Sequence, residues 1–260
     1  MSLALTRVDL TDACAVWRRN SRVYLRLWKT ELVAPIIEPI FTFFAFGFGV
    51  GALVSSQLVE GLSYLSFVGA GVLAFTVLMR AIFEMTYGAY FRMVYQSTYD
   101  AILATPVNAE SLAFGEIFWA LTKGLIDCLF ILPLVVVFGS ATSLFTPLAI
   151  FPLLLGCLFL GSLALGLTAH IFEIDHFNIF FAVFFSTIFL CGAWFPVSML
   201  PDWLQIVAYI LPTTSIIDLT RAFLNGNFAV RHIFETVYLL VAAFLLLEWA
   251  LRSIRKRMVV

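Results

Sequence analysis

The sequence predicts an all-α polytopic membrane protein with six transmembrane helices. Three observations predict it. First, 62% of the 260 residues are hydrophobic and only 12% are charged, with a mean hydropathy of +1.03. Soluble domains run about 45–50% apolar and about 25% charged. Second, apolar runs of spanning length recur along the chain, and a helix needs about 20 such residues to cross a bilayer. Third, positive charge gathers at the two ends of the chain, which sets orientation. The composition excludes a soluble globular enzyme, a disordered chain and a nucleic-acid binder. A net charge of -1 provides no basic field to hold phosphates.

The first element is an amphipathic interface helix over residues 9–29. Asp9 and Asp12 suit its start. Leu10, Ala13, Cys14, Trp17, Tyr24 and Trp28 share one face, and Arg18, Arg19, Arg22, Arg26 and Lys29 the other. A Trp-bearing apolar face opposite a basic face describes a helix lying on a membrane. A plain basic flank to the first span is the simpler reading of the same residues.

Six spans follow, over residues 32–54, 62–87, 117–138, 147–171, 177–195 and 233–251. The polar stretch 55–61 separates the first two. No Asp, Glu, Lys or Arg occurs between Cys128 and Phe172, which leaves room for two spans and the turn GSATS. Trp203–Ile217 is too short to span and carries Pro212, so it reads as a re-entrant outer segment between the fifth and sixth spans. The basic residues before the first span, and Arg252, Arg255, Lys256 and Arg257 after the last, place both termini in the cytoplasm. That requires an even number of crossings. No cleavable signal peptide is expected, because the first residues lack an apolar core segment. The whole chain, 1–260, is then one transmembrane domain. Cys14, Cys128, Cys157 and Cys191 show no metal-ligand spacing and are expected to be free and buried.

Between the second and third spans, Tyr99, Asp100, Ala101, Ile102, Leu103, Ala104, Thr105 and Pro106 read as a short helix stopped by Thr105-Pro106. Asn108, with Glu110 or Ser111, starts the next one. Apolar Ile102 and Leu103 in a cytoplasmic loop suggest a covered contact. A plain connecting loop is the alternative.

Ionisable groups inside spans are costly and mark function by default. Arg80 and Glu84 are i, i+4, as are Lys123 and Asp127, and each pair can bond within its helix. They read as snorkelling structural pairs, as a gate latch between the second and third helices, or, with Glu38, as a proton relay. Phe177, Phe180, Phe181, Phe184 and Phe185 share one face of the fifth span. Phe41, Phe44 and Phe48 do so on the first. These stripes read as packing or as the lining of a translocation path. His170, Glu173, Asp175 and His176 match no zinc motif, so no metal site is expected.

Three segments carry a family resemblance. YDAILATPVNAESLAFGEIFWALTKG (99–124) resembles the coupling-helix region of ABC type-2 export permeases, the NodJ-like lipooligosaccharide exporters in particular. LCGAWFPVSMLPDWLQIVAYILPTTSIIDLTRAFL (190–224) resembles that family's fifth span and the outer segment after it. APIIEPIFTFFAFGFGVGALV (34–54) resembles its first span. The resemblance implies the permease of an ATP-driven exporter of the bacterial inner membrane. It implies a homodimer carrying two ABC ATPase chains, with ATP and Mg on those partners and no cofactor on this chain. It makes residues 99–106 the coupling helix and brings Arg18 and Arg22 of the interface helix to the ATPase. It also raises the lining role of the Phe stripes, because the family's first and fifth helices meet at the dimer interface. The substrates of the family are diverse. An amphipathic lipid, glycolipid or lipooligosaccharide fits the composition, and a drug-efflux permease of the same family is the near alternative. A proton-coupled secondary transporter or a membrane anchor for a cytosolic complex are the more distant ones.

The phosphate-cradling pattern G-x-x-x-x-G-K-[ST] does not occur. The purified chain alone is therefore expected to release no phosphate from ATP. Turnover that follows the chain through a second purification step would contradict this.

Overall fold

The computed structural model describes residues 3–54 and 62–259, and all the elements it describes are helical. The expected polar break at 55–61 lies outside the described residues. Helix α1 spans Leu10–Thr42. It winds on as a π-helix over Phe43–Val50 and ends as α2, Gly51–Val54. Asp9 caps α1 as expected, its Oδ1 accepting from the Thr11 N–H at 2.8 Å. The interface helix and the first span, expected as two elements, are one continuous run over residues 10–54. Thr30 and Glu31 contain no glycine, proline or cap that would stop a helix. Pro35 and Pro39 remain inside it.

The apolar face expected to lie on the membrane is divided between the bundle and the open surface. Ala13, Val16, Asn20 and Tyr24 are buried, while Leu10 is 70% and Trp28 49% exposed. Cys14 is exposed, against the expectation that all four free thiols are buried. The reason is tertiary. The first half of α1 packs along α5 (Ala109–Val137). The Trp17 indole N–H donates to Thr122 Oγ1 at 2.9 Å.

Helix α3 (Tyr64–Phe83) is the centre of the bundle, buried along most of its length against α5, α6 (Ile150–Thr168) and α1. Ser63 caps it. It continues through two π-helical stretches, Glu84–Gly88 and Phe91–Tyr95, to the short α4 (Thr98–Leu103). Asn108 caps α5, accepting from the Ser111 N–H at 2.7 Å. After α6 come α7 (Phe177–Leu190), α8 (Asp202–Ile210), α9 (Pro212–Asn225) and α10 (Arg231–Val259). Helix α10 packs along α6. Trp249 takes the space a side chain at Gly166 would need, since a Cβ there would lie 2.1 Å from the Trp249 ring.

Both described ends of the chain lie at the same end of the bundle. The N–H groups of Ala4 and Leu5 donate to the Glu248 carboxylate of α10 at 2.5 and 3.1 Å. Arg255 near the C-terminus pairs with Glu110 at 3.3 Å. An even number of crossings follows. Five helical runs are long and apolar enough to cross a membrane. Helix α7 makes the sixth crossing. Its 3-10 lead-in extends it to residues 174–190, about 25 Å, within the shorter range for a span. The turn before it is tied to the terminal end, where the Tyr90 hydroxyl donates to Phe172 O at 2.6 Å. The turn after it reaches the distal end, where Arg221 Nη2 donates to Gly192 O at 2.7 Å.

Helices α8 and α9 meet at 81°. Pro212 at the start of α9 forces the break, because the residue before proline avoids helical dihedrals. The C-terminus of α9 sits at the distal end, where Leu224 O accepts from the Thr142 and Ser143 N–H groups. The hairpin apex points inward, because Ile210 O accepts from the Tyr238 hydroxyl at 2.9 Å. Tyr238 is two turns, about 10 Å, along α10. The expected re-entrant segment 203–217 is therefore the inner part of a longer hairpin, 202–225.

In a variant with its native cysteines replaced by serine, single cysteines at Gln96 and Asn227 should react with an impermeant maleimide from opposite sides of the membrane. Labelling of both from one side would overturn the six-crossing trace.

Candidate functional site

A ladder of buried charges runs up the terminal third of the bundle. It begins where α4 leaves α3. Arg92, on the second π-helical stretch, pairs with Glu84 at 2.8 Å and with Glu116 of α5 at 2.6 Å. In an α-helix residues 84 and 92 would point about 80° apart. The wider π turns between them turn the chain less per residue, so both side chains reach one face. Gly88 sits between them. A Cβ there would meet Glu84 Oε1 at 3.2 Å and Arg92 Nη1 at 3.3 Å, so the bare backbone is what lets the pair close.

Deeper in, Lys123 of α5 pairs with Glu84 at 2.7 Å and with Glu31 of α1 at 2.8 Å. Its ammonium also lies 5.4 Å from the Tyr24 ring centroid and 5.7 Å from that of Trp119. Arg80 closes the ladder, with Asp127 at 3.0 Å and Glu31 at 3.3 Å. From Arg92 to Arg80 the ladder climbs about 18 Å. Above it, Glu38 accepts from Thr76 Oγ1 at 2.6 Å and Thr42 Oγ1 at 3.0 Å, a separate polar contact between α1 and α3. Below it, Asn20 of α1 donates to Glu116 at 3.1 Å and accepts from Arg19 at 2.8 Å.

Arg80 with Glu84 and Lys123 with Asp127 do not pair within their helices; Arg80 meets Asp127 and Glu84 meets Lys123 across the second and third spans, the partners that the latch reading requires. An exposed i, i+4 pair gains little, whereas buried charges need close and multiple partners. The sequence reading missed Glu31 because partners from separate helices leave no mark in spacing, and Arg92 because only π turns bring it onto the face of Glu84.

Helix α4 begins at Thr98 and ends at Leu103, three residues before the expected boundary. Residues 104–106 form the turn that Thr105 and Pro106 were expected to impose. Tyr99 is fully buried beneath α4. Burial and the nearby Glu116 push its hydroxyl pKa well up, so it stays neutral beside Arg92. Ile102 and Leu103 are half-buried and lean on the core. The face open to a partner is Asp100, Ala101, Ala104, Thr105 and Pro106. Arg18 and Arg22 are exposed along the same end of the bundle, bordering a groove of about 570 Å³ with Arg26.

The two Phe stripes separate. Phe177, Phe181 and Phe184 are buried, and Phe180 is half-buried. Phe181 stacks on Phe83 at 4.9 Å and on Tyr87 at 5.5 Å. That accounts for them as packing, each ring pair worth about 0.5–1.5 kcal/mol beyond its area. Phe185 is 37% exposed, while Phe41, Phe44 and Phe48 are 68%, 53% and 50% exposed. The exposed surface of α7 is carried by Ile179, Val183 and Phe189, which the stripe did not include. His170 stacks on Trp249 and its Nδ1 meets Gly166 O at 2.8 Å, a packing role.

With this geometry in place, the chain matches the family model for ABC-2 type transporters over residues 11–224. It is a member of that family. The ABC-2 type transporters similar to it include Nodulation protein J of Bradyrhizobium diazoefficiens, 33% identical over 208 residues (80% of this chain, 79% of the relative). Nodulation protein J of Sinorhizobium fredii is 34% identical over 211 residues (80% of this chain, 79% of the relative). The inner membrane transport permease YadH of Escherichia coli is 23% identical over 255 residues, 91% of this chain and 93% of its own. No solved structure matches. For an ABC-2 type transporter the ladder occupies a telling position, because it joins the base of α4 to the first transmembrane helix.

Arg92→Gln should leave Glu84 and Glu116 buried with one cation too few. Removing one partner of a buried pair costs about 3–5 kcal/mol. Glu116→Gln added to Arg92→Gln should recover part of the loss. Thermal unfolding in detergent of the two single variants and the double variant measures the coupling. Strict additivity would show that the two groups do not interact.

Proposed function

We propose that this chain is the membrane subunit of an ATP-driven exporter of the bacterial inner membrane, with both termini cytoplasmic. Two copies pair in the bilayer, and each carries one separate ABC ATPase chain that holds the ATP and Mg. The cargo is an amphipathic lipid, glycolipid or lipooligosaccharide. Family membership supports the exporter, and the similarity to the Nodulation protein J relatives supports this class of cargo. The absence of a phosphate-binding loop from the sequence supports the separate ATPase.

One observation carries the mechanism. Helix α4 is linked to α1 through the ion pairs of the ladder. Arg19 of α1 reaches Thr98 Oγ1 at 3.5 Å, and Arg92 lies six residues before α4. Closure of the ATPase pair would press the exposed side of α4. Tyr99, buried below, prevents α4 from simply rolling. The push passes to Arg92 and Glu116, then through Lys123 and Glu31 to α1. Helix α1 carries the exposed Phe41, Phe44 and Phe48, and Phe46 stacks on Trp194 just after α7 at 4.5 Å. Re-posing α1 would therefore move the turn after α7 with it. A second copy covering the exposed Phe stripe of α1 and Ile179, Val183 and Phe189 of α7 would place the path between the two chains.

A proton relay fits the ladder less well. Glu31, Glu84, Glu116 and Asp127 each face a cation, and Glu38 is held by two hydroxyls. A relay needs a carboxylate free to exchange its proton.

Ala101→Glu combined with Ala104→Glu adds charge to the exposed side of α4 without touching its buried side. The permease should stay monodisperse, while co-purification of its ATPase should fall at least roughly tenfold, because desolvating two unpaired carboxylates opposes docking. Full retention of the ATPase by this variant, with normal hydrolysis, would remove α4 from the transmission route.

A further inference from the structure

At the distal end, α8, α9 and the first turns of α10 enclose a cavity of about 640 Å³. Its polar wall is unlike the apolar surface around it. Asp218 points in from α9. His232 and Glu235 point in from α10, three residues apart and so on one helical face. One ligand atom from each of the three lies within 4.8 Å of the others. His232 Nε2 is 3.6 Å from Asp218 Oδ2, and His232 is only 7% exposed.

Arg221 and Arg231 line the same cavity and supply positive charge, yet the hydrogen bonding of the carboxylates is incomplete. Two carboxylates face each other, and Glu235 Oε2 is buried with no hydrogen-bond partner. Like charges this close need a cation or a shared proton between them. Arg231 answers part of the need. Its Nη2 lies 2.9 Å from Asp218 Oδ2, and its Nε lies 3.5 Å from His232 Nε2. It lines the cavity itself, at its open side, with its side chain 61% exposed. It leaves the Glu235 oxygen unsatisfied.

One imidazole and two carboxylates are a donor set that suits zinc, with three protein ligands and an open fourth position. At metal–ligand bonds of about 2.0–2.1 Å, tetrahedral ligand atoms stand about 3.3 Å apart. The His232–Asp218 separation is a few tenths of an ångström longer. We propose that Asp218, His232 and Glu235 bind a zinc-class divalent cation, with the fourth position facing the cavity. Arg231 is the resident counter-ion that the metal displaces. Coordination through Nε2 places the imidazole proton on Nδ1. The hydrogen bond from the Ala229 N–H to Nδ1, 3.0 Å long, must then open. Metal binding thus re-forms the turn between α9 and α10 and ties the re-entrant hairpin to the last crossing helix.

The test uses the full chain, purified without a polyhistidine tag, stripped with chelator and reconstituted in nanodiscs. Zinc is titrated by calorimetry, and cobalt by visible absorption. Saturable uptake of about one ion per chain is expected, with the absorption bands of a four-coordinate cobalt site. His232→Ala and Glu235→Gln should each weaken it at least tenfold, in line with the loss of a ligand. Arg231→Gln should tighten it, because the competing cation is gone. That gain is a readout a structural role for the three ligands would not give. Monodispersity of Arg231→Gln, with zinc restoring whatever melting temperature the metal-free variant loses, excludes a folding artefact. Uptake that His232→Ala and Glu235→Gln leave unchanged would place the metal elsewhere and overturn the proposal. No saturable uptake, with Glu235→Gln stabilising the metal-free chain, would assign the gap to a shared proton and overturn it too.

Discussion

A buried charge is tolerated inside a membrane protein only when opposite charges surround it. That constraint organises the terminal third of this bundle. Arg80, Arg92 and Lys123 each hold two carboxylates, and those carboxylates come from three helices, α1, α3 and α5. No helix of the three can rotate alone without leaving a charge unpaired. The π-helical stretches of α3 and the bare backbone at Gly88 follow from the same demand, since they bring Glu84 and Arg92 to one face.

This cross-linking ties α1, α3 and α5 together at the terminal end of the bundle. At the terminal end, α4 stands on buried Tyr99 and on the ladder. At the distal end, α9 packs its buried face (Ile216, Ile217, Leu219 and Leu224) against α3, α6 and α10, and hydrogen bonds to Gly192 and from Tyr238 to Ile210 add to that packing. Helix α8 keeps most of its surface exposed. A metal bound between Asp218, His232 and Glu235 would add a further tie between α9 and α10.

Much of this was legible in the sequence. Hydropathy marked the crossing segments, because lipid imposes length and polarity on each separately. Thr105-Pro106 fixed the stop after α4, and Asp9 and Asn108 marked helix starts, because caps and prolines act within a few residues. Pro212 marked the break of the hairpin for the same reason. The ABC-2 family was readable from three ordered segments.

What the tertiary structure alone decided concerns partners. Amphipathicity could not tell a face that lies on lipid from one that packs on α5, since both are apolar: Ala13 and Tyr24, expected on the membrane side, are buried in the bundle, and Cys14, expected to be buried, is exposed. A Phe stripe reads the same whether it faces a path or stacks on Phe83 and Tyr87. Spacing within one helix suggested Arg80 with Glu84 and Lys123 with Asp127. The fold exchanged those partners, because bringing three helices together placed stronger counter-charges within reach. The meeting of Asp218 with His232 and Glu235 likewise depends on the 81° bend at Leu211–Pro212 and the turn after α9. The sequence determined what each segment is, through local rules. Only packing determined which segments meet, because burial of charge is a property of the assembled bundle.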